Sequence, residues 1–307
     1  MSTLDVYDHA AILALIDPPM AIAAVRDGFL KHHRGEWTMP AKVYLDSPPG
    51  DFRAMPARGD GLAIVKWICW FPGNVTGVVV ACDAATGTPL ALLDARAITA
   101  LRTGAVAAVA ARALAPAQAR TVGIIGCGVH GAWAARCLAA DGYGPGVCCD
   151  PREEAASALA QELGWEVGDR RAALRCEIVC AVTPGDVVVI DAGDLRPGLH
   201  LNMLGADAAG KAEASVGAVA SCRCFCDEWE QASHGGELHG AVAAGQVRRA
   251  DVTELGAVLA GDARGRPGPE AVTLFDSTGL AIQDLAITHL CLSAAGEGQI
   301  SAQTLTL

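Results

Sequence analysis

Short apolar runs alternate with helical or loop stretches through the middle of the chain, from Thr121 to Ser277. Apolar runs of four to eight residues bounded by turn residues are typical of parallel strands that are buried on both faces. The pattern predicts a doubly wound, Rossmann-type α/β domain. Its predicted strands are TVGIIG, VCCD, EIVCAVT, GLHLNMLG, RCFCD and VTLFDS.

The first third of the chain has a different pattern, in which Gly and Pro separate the apolar runs. After an opening helix at residues 19–33, the runs AKVYL, LAIVKWICW, GVVVACD and PLALLD predict a sheet-rich lobe. An alanine-rich helix then extends from Ile98 to near Pro116. The segment LAIQDLAITHLCLSAA predicts a last helix, which we expect to return to the first lobe and make it discontinuous. PARGDG and GDARGRPGPE are predicted loops.

Length and composition agree with two lobes, because 307 residues, 52% hydrophobic and 19% charged, can bury two cores. We expect residues 1–115 and 285–307 to form the first lobe and residues 116–284 the second. The N-terminus lacks the pattern of a secretory signal, and no uninterrupted apolar run reaches about 18 residues. We therefore expect a cytoplasmic protein without a membrane partner.

Charge and cysteine usage argue against two further classes of protein. A formal net charge of −11 disfavours binding to a phosphate backbone, so nucleic acid is not an expected partner. The twelve cysteines include no CxxC pair of the zinc type, and Cys222, Cys224 and Cys226 alternate as residues on one face of a strand do. We expect reduced thiols and no metal site.

The segment TVGIIGCGVHG combines a predicted strand, three glycines and the start of a helix. Gly126 would allow a tight turn, Gly128 would let the backbone approach a pyrophosphate, and Gly131 would let the helix pack on the sheet. The first amides of the helix, at Val129 and His130, would face the anion. The His130 side chain either contacts the cofactor or faces solvent. The spacing predicts a dinucleotide site.

An acidic residue, Asp150 in GVCCD, follows the next predicted strand. A carboxylate at this position accepts hydrogen bonds from the ribose 2′-OH and repels a 2′-phosphate, which favours NAD. Arg152 leaves NADP open, because its guanidinium could pair with a 2′-phosphate; alternatively, it is a surface residue beside Glu153 and Glu154. The expected cofactor is NAD or NADP, with NAD favoured.

Four basic residues lie in apolar surroundings before the glycine motif. Lys66 is the most informative, since it lies within LAIVKWICW, where an unpaired buried ammonium is costly and needs an anion or a carbonyl. Each residue alone has a structural alternative, because strand lysines usually face water and helix arginines usually extend along the surface. Together they indicate a pocket for an anion. The four residues are Lys42, Arg53, Lys66 and Arg102.

Asp207, in LNMLGADAAGKAE, comes just after a predicted strand, where ligands of open α/β sheets bind. Two roles are open for this carboxylate. It contacts a ligand, or it is the N-cap of a helix that begins near Lys211.

Several segments together resemble the ornithine cyclodeaminase and mu-crystallin family over nearly the whole chain. They are MPAKVYLD, DFRAMPA, VKWICWFPGN, TGTPLALLDARAITALRTGA, GIIGCGVHG, LNMLGADAAGKAE and DSTGLAIQDLA. The resemblance implies a homodimer in which the first lobe and the last helix form the dimer and substrate lobe. It also implies that the middle of the chain binds NAD(H) or NADP(H).

The resemblance further implies roles for individual residues. The four basic residues would surround the substrate carboxylate and the reacting amine or imine. Asp207 would handle protons at the nitrogen, with Lys42 and Lys66 as the other catalytic candidates, and Thr103 would lie near the cofactor phosphates. The residues assigned to the cofactor are Gly126, Gly128, Val129, His130, Gly131, Asp150, Arg152, Thr103 and Thr183.

Two departures from the family pattern bear on function. Ring-closing cyclodeaminases carry a glutamate two residues before the MP pair, and this position is Arg53 here. The FRAMP and MPAK segments look more like alanine dehydrogenase and related enzymes. Between PGN and TGVVV, around Asn74 to Thr76, several residues usual in the family are missing, and that loop would border the substrate.

We therefore expect an NAD(P)-dependent oxidoreductase that moves hydride between nicotinamide and the α-carbon of a small amino or imino acid. Such an enzyme is an amino acid dehydrogenase or a ketimine reductase. Two alternatives stay open. One is a cyclodeaminase for ornithine or lysine that uses NAD catalytically, and the other is a mu-crystallin-like protein that binds NADPH and a small ligand.

Overall fold

The structure is a computed structural model that describes residues 3–208, 210–298 and 302–306. The described strands are β1 (Thr3–Tyr7), β2 (Val43–Ser47), β3 (Gly50–Gly59), β4 (Leu62–Phe71), β5 (Asn74–Asp83), β6 (Pro89–Asp94), β7 (Val122–Ile125), β8 (Gly146–Cys149), β9 (Glu166–Val167), β10 (Ile178–Ala181), β11 (His200–Met203), β12 (Arg223–Cys226), β13 (Thr253–Glu254), β14 (Thr273–Asp276) and β15 (Gln303–Thr306). The described helices are α1 (His9–Leu15), α2 (Pro18–His33), α3 (Ala95–Leu114), α4 (Val129–Ala140), α5 (Glu153–Leu163), α6 (Arg170–Leu174), α7 (Val216–Ala220), α8 (Trp229–Gly235), α9 (His239–Ala243), α10 (Leu255–Ala260) and α11 (Ala281–Gly296). Two short 3-10 helices lie at Ala192–Asp194 and Arg249–Asp251.

The chain divides into two compact units. Unit 1 consists of Met1–Arg102 and Leu280–Leu307, and unit 2 of Thr103–Gly279. Unit 1 is therefore discontinuous, but its boundaries differ from the expected ones. The sequence pattern places residues 103–115 in the first lobe and residues 280–284 in the second, whereas the compact units place residues 103–115 in unit 2 and residues 280–284 in unit 1.

The reason lies in the contacts of the two boundary segments. Within unit 2, the side-chain amide of Asn202 on β11 donates to the carbonyl oxygen of Ala107 at 3.0 Å, so the second half of α3 is bonded to the sheet. Within unit 1, Asp284 on α11 pairs with Lys66 on β4. Buried polar groups need such partners. Each of these two pairs therefore assigns its segment to the unit in which the bonding partner lies.

Unit 1 contains a seven-stranded sheet in the order β15-β1-β6-β5-β4-β3-β2. All neighbouring strands are antiparallel except β1 and β6. Helix α11 packs against β3 and β4. Strands β4 and β5 are joined by a two-residue turn, because Phe71 pairs with Asn74. The shortened segment after PGN is thus the first part of β5, directly after a tight hairpin turn.

The sequence pattern misses β3 and wrongly predicts a loop for PARGDG. Residues 56–59 continue β3, and the turn to β4 is confined to Asp60 and Gly61. The proline and glycine in this run hide its alternation. They are tolerated because β2 pairs only with the first half of β3, while the pairing with β4 continues to Gly59. Strands β1 and β15 are also not predicted.

Unit 2 contains an eight-stranded sheet in the order β13-β12-β14-β11-β10-β7-β8-β9, and all neighbouring strands are parallel. The six strands predicted for this domain correspond to β7, β8, β10, β11, β12 and β14. Every residue of β7, β10, β11 and β14 is buried, as expected for a sheet covered on both faces. The doubly wound α/β fold is confirmed.

One described helix, α3, is long and apolar enough to cross a membrane, and most of it is buried inside the protein. Helices α1 and α2 meet the same test only as a pair, and they are bent by 91°. Core helices commonly meet this test. Within the described ranges, no group of three His, Cys, Asp or Glu could hold a metal ion. All twelve cysteines are free thiols. The cytoplasmic location stays a prediction.

Candidate dinucleotide and anion sites

The glycine motif of unit 2 forms a turn between β7 and α4. Gly126 has φ +98°, a conformation that favours glycine, and its N–H donates to the carbonyl oxygen of Cys149 at 2.8 Å. A side chain at Gly131 would collide with the Gly126 carbonyl oxygen. Close packing of α4 against this turn therefore requires glycine at both positions, as the sequence predicts.

Gly128 differs from its two neighbours in the motif, because it faces open space. A Cβ atom at this position would meet only Arg152 Nη2, at 3.6 Å. Gly128 is the N-cap of α4, and as a glycine it has no side chain that could accept from the first amides of the helix. A pyrophosphate fits this cradle, since it would accept from the first amides of α4, at Val129 and His130. Both side chains are exposed, and the role of His130 stays a prediction.

Asp150 holds the glycine turn as well as the start of α5. One carboxylate oxygen accepts from Cys127 N at 2.8 Å, and the other accepts from Arg152 N at 2.8 Å. Arg152 also pairs with both oxygens through Nε and Nη2, at 3.0 and 2.9 Å. These bonds hold the pKa of Asp150 below its usual value despite its burial. Arg152 is exposed, as a surface residue is, but it pairs with Asp150 instead of lying only beside Glu153 and Glu154.

Two threonines assigned to the cofactor are also in unit 2. Thr183 follows β10; its N–H donates to Glu213 Oε1 at 2.6 Å, and its hydroxyl accepts from Gly185 N at 3.2 Å. The Thr103 hydroxyl is buried and makes no hydrogen bond within the described residues. A buried hydroxyl without a partner is suited to a ligand acceptor.

Asp207 lies in the loop after β11 and is not a helix cap. No helix begins near Lys211 in the described chain; the next helix, α7, is capped by Ser215, whose hydroxyl accepts from Ala218 N. Instead, Lys211 Nζ donates to Asp207 Oδ1 at 2.8 Å, and both side chains are partly exposed. The N-cap alternative is therefore wrong, and the carboxylate lies beyond the carboxyl end of a central strand.

Two of the basic residues of unit 1, Arg53 and Lys66, lie on the same face of its sheet. Met55 pairs with Lys66 and Arg53 with Ile68, so Arg53 and Lys66 point to the same side as alternate residues do. Both are buried. Lys42 directly precedes β2, and Arg102 is on α3. We call Lys42, Arg53, Lys66 and Arg102 the basic cluster.

The centre of the basic cluster is an ion pair between Lys66 and Asp284. Lys66 Nζ lies 2.9 and 2.7 Å from the two carboxylate oxygens, and the two side chains are 1% and 0% exposed. Burial is the largest of the causes that lower the pKa of Lys66 to about 8. The positive charges of Arg102 and Lys42 act in the same direction, whereas Asp284 raises this pKa. A lysine in this range can give or take a proton near neutral pH.

Arg102 shares the carboxylate of Asp284 but is not saturated by it. Its Nε lies 3.6 Å from Asp284 Oδ1, and its Nη1 donates to Gln283 Oε1 at 3.4 Å. Arg102 Nε and Gln283 Nε2 are buried donors without a hydrogen bond in the described structure. Two cations therefore face one carboxylate, and the surplus positive charge and open donors favour a bound anion.

Arg53 and Lys42 complete the cluster near its edge. Arg53 pairs with Asp51, through Nε at 2.6 Å and Nη2 at 3.0 Å. Its guanidinium lies 5.3 Å from the Tyr44 ring, and Lys42 Nζ lies 5.9 Å from the same ring. The structure thus brings the four expected basic residues into one unit, with their roles still to be tested.

Sequence reasoning misses the acidic and amide partners of these residues. Gln283 and Asp284 interrupt an otherwise apolar helix, which is the same signal that identifies Lys66 in its strand. Glu213 has a weaker signal, since a glutamate in the polar run GKAEAS resembles a surface residue, yet it is fully buried.

Comparisons with known proteins extend over both units. The model of the ornithine cyclodeaminase/mu-crystallin family matches residues 5–298. Alanine dehydrogenase of Archaeoglobus fulgidus is 36% identical over 304 residues, 94% of each chain. Iminosuccinate reductase of Paracoccus denitrificans is 34% identical over 229 residues, 72% of this chain and 71% of that protein. The solved structure of an archaeal alanine dehydrogenase dimer with bound NAD has a TM-score of 0.94 and 34% identity, and the match covers all of both chains.

The open space at Gly128 leads to a prediction about dinucleotide binding. Gly128→Ala should keep the melting temperature close to that of the wild type, because the new methyl group meets only Arg152, but it should weaken dinucleotide binding about tenfold or more by filling the cradle. Calorimetric titration with NADH and NADPH measures the loss. Gly131→Ala is the control, and it should lower the melting temperature because its methyl group collides with the Gly126 carbonyl. Unchanged affinity in Gly128→Ala would mean that no pyrophosphate lies there.

The buried ion pair leads to a prediction about pH and stability. Asp284→Asn removes the group that raises the pKa of Lys66, so this pKa should fall below about 8. Leaving Lys66 unpaired should cost about 3–5 kcal/mol of unfolding free energy at pH 6. The unfolded lysine, with its ordinary pKa of about 10.4, binds more protons than the folded one, so stability rises with pH and the deficit should shrink by pH 9. Urea unfolding at both pH values checks this.

The control for this experiment is Asp51→Asn, which removes the partner of Arg53, a group that stays charged over the whole range. Its stability deficit should therefore not shrink between pH 6 and pH 9 as that of Asp284→Asn does. A deficit of Asp284→Asn that is equal at both pH values would contradict the assignment of Asp284 as the counter-ion of Lys66.

Proposed function

Because the chain belongs to the ornithine cyclodeaminase/mu-crystallin family, as its motifs indicate, we propose that it is an NAD(P)-dependent oxidoreductase of a small amino or imino acid. It moves hydride between nicotinamide and the α-carbon of that substrate. The relatives named alanine dehydrogenase and iminosuccinate reductase support a dehydrogenase or imine reductase.

The observation that carries this proposal is the surplus of buried positive charge in unit 1. Lys66 and Arg102 share the single carboxylate of Asp284, and Arg102 keeps an unused donor. A substrate carboxylate would neutralise this surplus and accept from the guanidinium in a planar, two-bonded geometry. An α-amino or α-imino acid offers such a carboxylate next to the reacting carbon.

The residues of this chain fix the substrate and move its protons. Arg102 anchors the carboxylate, and Arg53 and Lys42 hold the remaining polar groups of a short substrate. Lys66, with its pKa near 8, and Lys42 stabilise or transfer the proton at the reacting nitrogen. Asp207 is the third candidate for this proton transfer. Its carboxylate stays partly exposed beside Lys211, where a ligand can reach it.

The cofactor is held by the glycine turn of unit 2, and when bound its nicotinamide supplies or accepts the hydride. Gly126, Gly128 and Gly131 shape the turn, the amides of Val129 and His130 face the pyrophosphate, and Thr103 and Thr183 offer polar contacts. Asp150 favours NAD, in agreement with the NAD bound to the archaeal alanine dehydrogenase. Arg152 covers that carboxylate with a cation, which makes NADP acceptable as well.

We further propose that the protein is a homodimer formed by the outer face of the unit 1 sheet. Trp67 follows the buried Lys66, so it points to the opposite face, where it is 39% exposed and stacks on Phe52 at 5.6 Å. On β2, Val43 and Leu45 of the same face are 61% and 59% exposed. A continuous apolar face of this kind is typical of a protein interface, and the archaeal relative is a dimer.

The function is tested with a substrate panel. We expect purified protein to oxidise NADH or NADPH when a 2-oxo acid is supplied with ammonia or methylamine, or when a cyclic imino acid is supplied, as followed by nicotinamide absorbance. Arg102→Lys tests the proposed carboxylate anchor. It keeps the charge but not the two-bonded geometry, so it should raise KM for the carboxylate substrate about tenfold or more.

Two other outcomes of the panel would replace the proposal. Conversion of ornithine or lysine with release of ammonia and no net change in nicotinamide would identify a cyclodeaminase. Tight binding of NADPH without turnover of any substrate would identify a mu-crystallin-like binding protein.

The dimer is tested by placing a charge on the outer face. Trp67→Glu should convert the dimer to a monomer at micromolar concentration, because two glutamates would be buried without partners. Sedimentation velocity measures the mass. Val167→Glu, at an exposed valine of unit 2, is the control and should leave the dimer intact. A monomeric wild-type protein, or a dimer that survives Trp67→Glu, would show that this face is not the interface.

A further inference from the structure

We propose that Glu213 is a positioning residue, which fastens the loop that carries Asp207 to the end of the neighbouring strand β10. The inference rests on the proposed function for the role of Asp207. Its structural part concerns unit 2 alone, and it can be tested without any enzymatic activity.

The side chain of Glu213 bridges two loops. It is 0% exposed, and each carboxylate oxygen accepts from a backbone amide of a different segment. Oε1 accepts from Thr183 N at 2.6 Å, and Oε2 accepts from Gly205 N at 2.7 Å. A carboxylate bound by two backbone amides in a water-free interior forms strong, directional bonds.

The two amides lie where a ligand of this fold binds. Thr183 follows β10 and Gly205 follows β11, and these two strands are parallel neighbours. Ligands of open parallel sheets bind at this edge. Asp207 is two residues after Gly205, so the bond to Gly205 fixes the base of its loop. Glu213 ends the same loop and thus closes it upon itself.

The carboxylate of Glu213 packs closely against Gly205. A Cβ atom at Gly205 would lie 2.6 Å from Glu213 Cδ and would also collide with the Thr183 carbonyl oxygen. The backbone of Glu213 is fixed as well, because its carbonyl oxygen accepts from Val189 N and Ile190 N at 2.7 and 2.9 Å. A shift of Glu213 would therefore move both loops together.

A second carboxylate, that of Glu237, accepts hydrogen bonds from the backbone at Glu213. Glu213 N donates to both oxygens of Glu237 at 3.0 Å, and Ala214 N donates to Glu237 Oε1 at 2.6 Å. Glu237 in turn faces the buried Asp276, and Asp276 faces Asp227. The Cys180 thiol on β10 also interacts with Glu213, but burial raises the pKa of this thiol to about 12, so it stays neutral. The Asp207 and Lys211 pair lies on the same loop as Glu213.

This environment makes the bridge sensitive to pH. Burial raises the pKa of Glu213 to about 7, the negative charge of Glu237 adds to the rise, and the amides of Thr183 and Gly205 oppose it. Protonation places a hydrogen on one oxygen, which can then no longer accept its amide in full. Burial raises the pKa of Glu237 to about 7 as well, so the two carboxylates lose their charges over the same pH range. The bridge is therefore complete in alkaline solution and loses one bond as the pH falls through this range.

The first experiment measures the bridge directly in the wild-type protein, by hydrogen exchange followed by NMR. We expect the amides of Thr183 and Gly205 to be protected at pH 8, with protection about tenfold lower at pH 6 after correction for intrinsic exchange. Gly126 N is the control, since its acceptor is a backbone carbonyl that does not titrate. Protection of Thr183 and Gly205 that is equal at both pH values, or absent at pH 8, overturns the bridge whether or not the protein is an enzyme.

The second experiment uses Glu213→Gln, whose amide can accept from only one of the two N–H groups. It should lower kcat about tenfold or more, in a variant that still binds dinucleotide. Glu237→Gln is the control: it removes a charge from the same buried group but leaves both loop amides bound, so kcat should stay close to that of the wild type. When kcat is measured as a function of pH, the loss of activity on the acid side should also move to lower pH in Glu237→Gln. The reason is that this variant removes a charge that raises the pKa of Glu213.

A double variant separates positioning from general loss of structure. If Glu213 acts through Asp207, Glu213→Gln should cost little further kcat once Asp207→Asn is present. Effects that multiply in the double variant, or an equal loss of kcat in Glu237→Gln, would overturn the positioning role. If Asp207→Asn itself keeps full kcat, the proposed role of Asp207 fails, and with it the positioning role, while the exchange experiment still decides on the bridge.

Discussion

The buried ion pair between Lys66 and Asp284 is the constraint on which unit 1 depends. The two residues are 218 positions apart in the chain, and the pair ties the last helix to a central strand of the first segment. Since either charge alone would be unstable in the interior, the end of the chain must return to the first lobe. The same pair leaves Arg102 Nε without a hydrogen bond in the described structure, and this is the donor that we propose for a substrate carboxylate.

The sequence predicts those parts of the molecule whose signal is local. The strands of unit 2 are continuous apolar runs, and the glycine at position 131 is required by its contact with Gly126, only five residues earlier. Lys66 is also identified, because a charge inside an apolar run needs a partner. The partner itself is not identified, since Asp284 becomes its neighbour only through the fold. For the same reason, the hydrogen bonds of α3 and α11 move the boundaries between the units.

Acidic side chains in unit 2 have two distinct kinds of partner. Asp150 and Glu213 each use both oxygens to hold backbone amides, and so they shape loops. Asp207 bonds to a lysine side chain and stays partly exposed, so its carboxylate remains accessible to a small molecule. In the sequence these acids look alike, because each lies shortly after a strand or within a polar run. The partners of the oxygens, and not the residue type, therefore distinguish an acid that holds backbone amides from one that stays accessible to a ligand.

Lys66 and Trp67 are consecutive residues with opposite surroundings, one in the interior and the other on the outer face. Because side chains alternate along a strand, the loss or gain of one residue within β4 would exchange them. Such a change would bury the tryptophan and expel the lysine from its ion pair. The turn at Pro72 and Gly73 lies beyond this constraint. Insertions and deletions in the course of evolution can therefore be accommodated at the tip of this hairpin. There they change the length and shape of the turn without shifting Lys66 out of its ion pair.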